Sequence, residues 1–77
     1  MKRRILIIGA SGQIGTELTQ QLRLLHGNDR VIASDLHQPP VKSQEELFEI
    51  LDATDVDAIK RCVLKHQVGT IYLLAAM

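Results

Sequence analysis

The run Ile5-Leu6-Ile7-Ile8 passes without a break into Gly9-Ala10-Ser11-Gly12-Gln13-Ile14-Gly15, and this junction constrains the chain more than any other stretch. Four consecutive apolar residues leave no polar face, as in a strand covered on both sides of a parallel sheet. Glycines then recur at every third position, and the apolar residues Ile14, Leu18, Leu22 and Leu25 follow at helical spacing. The pattern predicts a strand from about Arg4 to Ile8, a tight turn, and a helix from about Gly12 to Leu25 stopped at His26-Gly27-Asn28. A second apolar run, Val31-Ile32-Ala33, predicts a strand from about Arg30 to Ser34. It is closed by an acid, Asp35, twenty positions beyond Gly15.

Strand, glycine turn, helix, strand and acid form a dinucleotide-binding pattern, and each part has a physical job. Gly9 lets the chain leave the strand in a conformation that a side chain penalises. Gly12 keeps a Cβ away from a bound pyrophosphate, and Gly15 allows close packing of helix on strand. The helix N-terminus offers N–H groups and a partial positive charge to the pyrophosphate. Asp35 accepts from the adenosine ribose hydroxyls and repels a 2′-phosphate, which favours NAD over NADP. Position 10 is Ala, a departure from the common Gly-x-Gly-x-x-Gly form. Such a turn also serves as a plain strand-to-helix junction, and Asp35 also reads as a solvated strand-end residue.

The polar stretch Leu36 to Ser43, with Pro39-Pro40, reads as a loop. Ser43-Gln44-Glu45-Glu46 has the form of a capping box, which argues for a helix from Gln44 to Leu51. An alternating α/β pattern requires a strand there instead. We favour at most one helical turn near Glu45 and a strand from Phe48 to Leu51. A second helix is expected to start after Asp52-Ala53-Thr54, capped by Thr54 or Asp55, and to reach about His66. Its buried face would be Val56, Ile59, Cys62 and Val63. Gly69 would end the link, and Thr70 to Ala76 would form a fourth strand. Right-handed crossovers give the strand order 3-2-1-4, the first half of a doubly wound α/β Rossmann sheet. Gly9, Asp35, Asp52 and Ala75 then converge on the carboxyl edge, where such sheets bind ligands.

A chain of 77 residues holds one domain at most, and at this size only about 60% of the extended surface is buried. The single cysteine, Cys62, excludes an internal disulfide and reads as a buried structural thiol. His26, His37 and His66 are scattered, so no metal site is expected. His66 is placed to interact with the dipole of the second helix, and Glu45-Glu46 reads as a solvated face. Zero formal net charge gives no reason to expect a nucleic-acid partner. Lys2-Arg3-Arg4 reads as a solvated strand entry. The apolar run after it is too short for a secretory signal or a membrane span, so a cytoplasmic location is expected.

Gly9-x-x-Gly12-x-x-Gly15, the strand-end Asp35, Asp52 and Leu74-Ala75-Ala76 stand in the order and spacing of one family. The whole chain resembles the N-terminal part of extended short-chain dehydrogenase/reductases, the NAD-dependent epimerases, dehydratases and their relatives. Within them it is most similar to short-chain-type L-threonine 3-dehydrogenases. That likeness lies in Gly12 to Leu18, Gly27 to Asp35 and Ile71 to Ala76. The resemblance implies that Gly12, Gln13 and Ile14 line the pyrophosphate of NAD and that Asp35 holds the adenosine ribose. It further implies that Asp52 accepts from the adenine amino group beside the Ala53 backbone. Leu74, Ala75 and Ala76 would pass under the cofactor near its riboses. Asp52 also reads as a helix N-terminal residue stabilised by the dipole, and Leu74-Ala75-Ala76 as plain strand packing.

The family's acid/base pair, Tyr-x-x-x-Lys, is missing: Tyr72 is the one tyrosine, and Ala76 stands where the lysine would be. Tyr72 is expected to pack within its strand. The reading is therefore a cofactor-binding N-terminal fragment of an NAD-dependent oxidoreductase, with the small-molecule substrate half elsewhere. L-threonine dehydrogenation is the specific expectation. A nucleotide-sugar epimerase or dehydratase and a non-catalytic nucleotide-binding module are the alternatives. The apolar fourth strand, without a neighbour on one side, further predicts self-association.

Overall fold

A computed structural model describes residues 3–37 and 47–74. Strand β1 (Arg4–Ile8) leads through the glycine turn into helix α1 (Gln13–His26). A single 3-10 turn, Asn28–Arg30, precedes β2 (Val31–Asp35). Then follow β3 (Leu47–Ile50), α2 (Val56–His66) and β4 (Val68–Leu73). The four strands form one parallel sheet in the order β3-β2-β1-β4, as the sequence predicts. The possible helical turn near Glu45, the two prolines, Glu45-Glu46, Lys2, Ala75 and Ala76 lie outside the described residues.

Alternation along β1 divides the core. Leu6 and Ile8 point to one face and join Ile32, Leu51, Cys62 and Val68, covered by Ile59 and Val63 of α2. Ile5 and Ile7 point to the other and pack with Ala10, Leu22, Val31 and Ala33 under α1. An all-apolar strand is thus explained: each face of β1 carries its own helix. The sheet is the middle of three layers.

Several local expectations change. The inward face of α1 is Gly15, Thr19 and Leu22, whereas Ile14 and Leu25 are each 74% exposed. At its N-terminal end the helix lies so close to the turn that Gly15 makes the contact, while Leu18 and Leu22 pack on the sheet further along. Val56, the first residue of α2, also faces solvent. The cap of α2 is Asp55, whose carboxylate accepts from the Ala58 N–H at 3.1 Å. Gly69 does not end a link but lies inside β4. Arg4 pairs with Val68 and Ile5 with Thr70, so Gly69 is the extra residue of a bulge, with the Arg3 side chain against it. The link itself is Gln67, in the left-handed conformation (φ 56°) that closes α2, its N–H donating to the Val63 carbonyl.

Arg4 is not a solvated strand entry. Its Nε donates to the Asp29 carbonyl at 2.8 Å and its Nη1 to the His66 carbonyl at 3.4 Å, tying the amino edge of the sheet to both flanking turns. Arg23 reaches from α1 across the sheet margin to the Leu47 carbonyl at 2.8 Å.

Candidate functional site

Register places the carboxyl ends of the strands on one line. Ile8 is level with Ser34 and Leu73, and Asp35 with Ile50. Gly9, Asp35, Asp52 and Leu74 therefore come together at this edge. The Leu74 N–H donates to the Ile8 carbonyl at 2.8 Å, carrying the pairing one residue past β4.

The three glycines of the turn are there for different reasons. Gly9 has φ 90°, a left-handed value that a side chain disfavours. A Cβ on Gly15 would lie 2.6 Å from the Gly9 carbonyl oxygen and 2.8 Å from Ala10 Cα, so Gly15 lets α1 rest on the backbone of the turn. A Cβ on Gly12 would have nothing within 4 Å. Gly12 is the N-cap of α1, no side chain caps this end, and the Thr16 N–H donates to the Gly12 carbonyl at 2.8 Å. The first-turn N–H groups of a helix have no acceptor within it. Here they belong to Gly12, Gln13, Ile14 and Gly15, the first three of them exposed residues.

The end of β2 grips the turn amide by amide. The Gly9 and Ala10 N–H groups both donate to the Ser34 carbonyl at 2.9 Å. The Ser11 N–H donates to Asp35 Oδ2 at 2.9 Å, and the Leu36 N–H to Asp35 Oδ1 at 2.7 Å. Ser34 is fully buried, its hydroxyl donating to the Ile7 carbonyl at 2.7 Å. Burial by itself would raise the Asp35 pKa. The Ser11 and Leu36 N–H groups outweigh it and hold the carboxyl below its ordinary range. Asp35 is therefore ionised at neutral pH, with lone pairs still open for further donors. Sequence reasoning assigned Asp35 to a ligand and missed this bond to the turn, for which no local pattern exists.

Asp52 lies just past β3. The Thr54 N–H and hydroxyl donate to its Oδ1 at 2.8 and 2.7 Å, and these bonds hold its carboxyl below the ordinary value. Ala53 packs its methyl against the α2-side core and leaves its backbone at the edge. Tyr72 lies in β4 but is partly exposed rather than packed.

The other ionisable cluster stands between β3 and α2. Glu49 Oε1 accepts from Lys65 Nζ and from His66 Nε2, each at 2.9 Å. His66 thus engages a carboxylate across the layer rather than the helix dipole alone. Cys62 is buried on the sheet side of α2, and burial pushes its thiol pKa up, which leaves it a poor nucleophile. Among the described residues no three His, Cys, Asp or Glu side chains group as a metal site. No helix there is long and apolar enough to cross a membrane.

The chain is similar to solved L-threonine dehydrogenases. With that of Clostridium difficile it shares 44% identity over 97% of its length at a TM-score of 0.87. With the holo form from Cupriavidus necator the values are 40%, 96% and 0.86. An uncharacterised epimerase/dehydratase of Staphylococcus aureus is 40% identical over 97% of the chain. The chain spans about a quarter of the length of each of these relatives. The family model described as NAD dependent epimerase/dehydratase matches residues 5–77, and by that match the chain belongs to this family.

Proposed function

We propose that residues 1–77 are the NAD-binding part of an NAD-dependent oxidoreductase, and that its substrate is L-threonine, oxidised to 2-amino-3-ketobutyrate. The observation that carries the cofactor reading is the pairing of two features at one sheet edge. One is an N-terminus of α1 with clear space over Gly12. The other is an ionised Asp35 on the neighbouring strand end. The first suits a pyrophosphate, which needs N–H donors and no intervening Cβ. The second suits a ribose diol and disfavours a 2′-phosphate.

In this reading Gly12, Gln13 and Ile14 face the pyrophosphate, with Gly9 and Gly15 shaping the turn. Asp35 accepts from the adenosine ribose. Asp52, oriented by Thr54, and the Ala53 backbone meet the adenine, and Leu74, Ala75 and Ala76 run beneath the riboses. The cofactor, when bound, supplies the hydride acceptor, and these residues bind and orient it. The threonine assignment is supported by six solved L-threonine dehydrogenases at 34–44% identity to this chain. A nucleotide-sugar epimerase or dehydratase is the second reading, favoured by the family's description and by the name of the S. aureus relative.

Calorimetric titration with NAD+ and NADP+ tests the cofactor. NAD+ should bind more tightly, and Asp35→Ala should weaken it by about tenfold or more, the scale of a lost charge-assisted hydrogen bond. Preference for NADP+ would overturn the reading. NAD reduction with L-threonine, assayed on a protein spanning the full length of the relatives, tests the substrate.

A further inference from the structure

We infer that Asp35 is a positioning residue as well as a ribose acceptor: it fixes the glycine turn before any nucleotide arrives. The inference deepens the cofactor reading and rests on it for its consequence.

Three consecutive N–H groups of the turn, those of Gly9, Ala10 and Ser11, are held by two adjacent residues at the end of β2. Two of them share the Ser34 carbonyl, which the sheet itself fixes. The third, from Ser11, depends on a side chain. Ser11 is exposed and stands immediately before the N-cap Gly12, so its amide is the last tether before the helix. From the helix side, Thr16 holds the turn as well, its N–H donating to the Gly12 carbonyl and its hydroxyl to the Ala10 carbonyl at 3.3 Å, but neither bond reaches the Ser11 N–H. Asp35 is itself clamped by the Leu36 N–H at its other oxygen, so the carboxylate does not swing freely. An ionised acceptor bonds an N–H about twice as strongly as a neutral one, so this contact outweighs a water at the same place.

The consequence is that one carboxylate has two duties. It orders the donors that meet the pyrophosphate, and it offers its remaining lone pairs to the ribose. A loop already set on the strand end has less conformational freedom to lose on binding. Loss of Asp35 should therefore reach beyond the ribose contact.

Amide hydrogen exchange of the ligand-free chain tests this, with circular dichroism as the control for folding. In Asp35→Ala the Ser11 amide should exchange about tenfold faster or more, while the amides of Leu6 to Ile8 keep their protection. Asp35→Asn keeps one acceptor oxygen and should restore part of the protection. Unchanged Ser11 exchange in a folded Asp35→Ala chain would overturn the positioning role. Faster exchange spread evenly over β1 would overturn it too, since the residue would then merely support the fold. The cofactor reading is judged separately by NAD+ titration of the unmodified chain. Binding there with an unmoved Ser11 amide refutes positioning alone. Faster Ser11 exchange without NAD+ binding supports positioning and refutes the cofactor.

Discussion

A methyl group on Gly15 would lie 2.6 Å from the Gly9 carbonyl oxygen, and one on Gly12 would touch nothing within 4 Å. Two glycines three residues apart thus fail differently when replaced. Gly15→Ala drives a side chain into backbone that cannot rotate away, and should cost about 1–3 kcal/mol, the usual range for overpacking. Urea unfolding measures it as a lower midpoint at unchanged slope. Gly12→Val enters open space at φ −72°, which any residue adopts, so its stability should change by less than about 1 kcal/mol. If the proposed site is right, its NAD affinity should nevertheless collapse, because the branched side chain would fill the place proposed for the pyrophosphate. Retained affinity in calorimetry would move the cofactor away from this turn. The sequence alone distinguishes these glycines only by their place in a pattern. Backbone geometry says which one bears on packing and which borders open space.

At the scale of elements, most strands and helices were legible from local periodicity, whereas β3 was legible only from the alternation of strand and helix, because its local pattern also fits a capped helix. The faces of the helices were less so. Periodicity marks Ile14 and Leu25 as apolar without saying that α1 turns Gly15 and Thr19 inward. Side-chain ties between layers left no local signal either: Glu49 meets Lys65 and His66 only because α2 covers the sheet face toward which Leu47 of β3 packs. That tie has a pH dependence with a definite sign. His66 first, and Lys65 after it, hold the Glu49 carboxyl below its unfolded value. The stabilisation is therefore complete above the ordinary carboxylate range and is lost as pH falls through the lowered pKa. Glu49→Gln should be less stable than the parent chain at neutral pH, and the gap should close in acid. Thermal unfolding of both chains across that range measures it. A gap independent of pH would mean that Glu49 acts through packing alone.

For the molecule as a whole, β4 is, among the described residues, an edge strand of unusual character. Ile71 is 47% exposed and Leu73 54%, and Tyr72 and Leu74 are also open to solvent on the opposite face. Free N–H and C=O groups along an apolar edge are a template for another strand. The 77-residue chain should therefore associate at micromolar concentration, seen as a scattering mass above that of a monomer. Ile71→Lys with Leu73→Lys should reduce it, since charge on an edge opposes pairing. A monodisperse monomer without these substitutions would show that this edge is protected.

The position of β1 carries one more consequence. Of the four strands it is the earliest in sequence, yet it lies between β2 and β4, and sixty-odd residues separate Ile8 from its partner Leu73. Closing so long a loop is slow and entropically costly. A growing chain on the ribosome thus delivers its central strand early and completes it late. Until Val68 to Leu73 emerge, one edge of Ile5 to Ile8 has no native partner, and the chain depends on whatever shields that edge in the meantime.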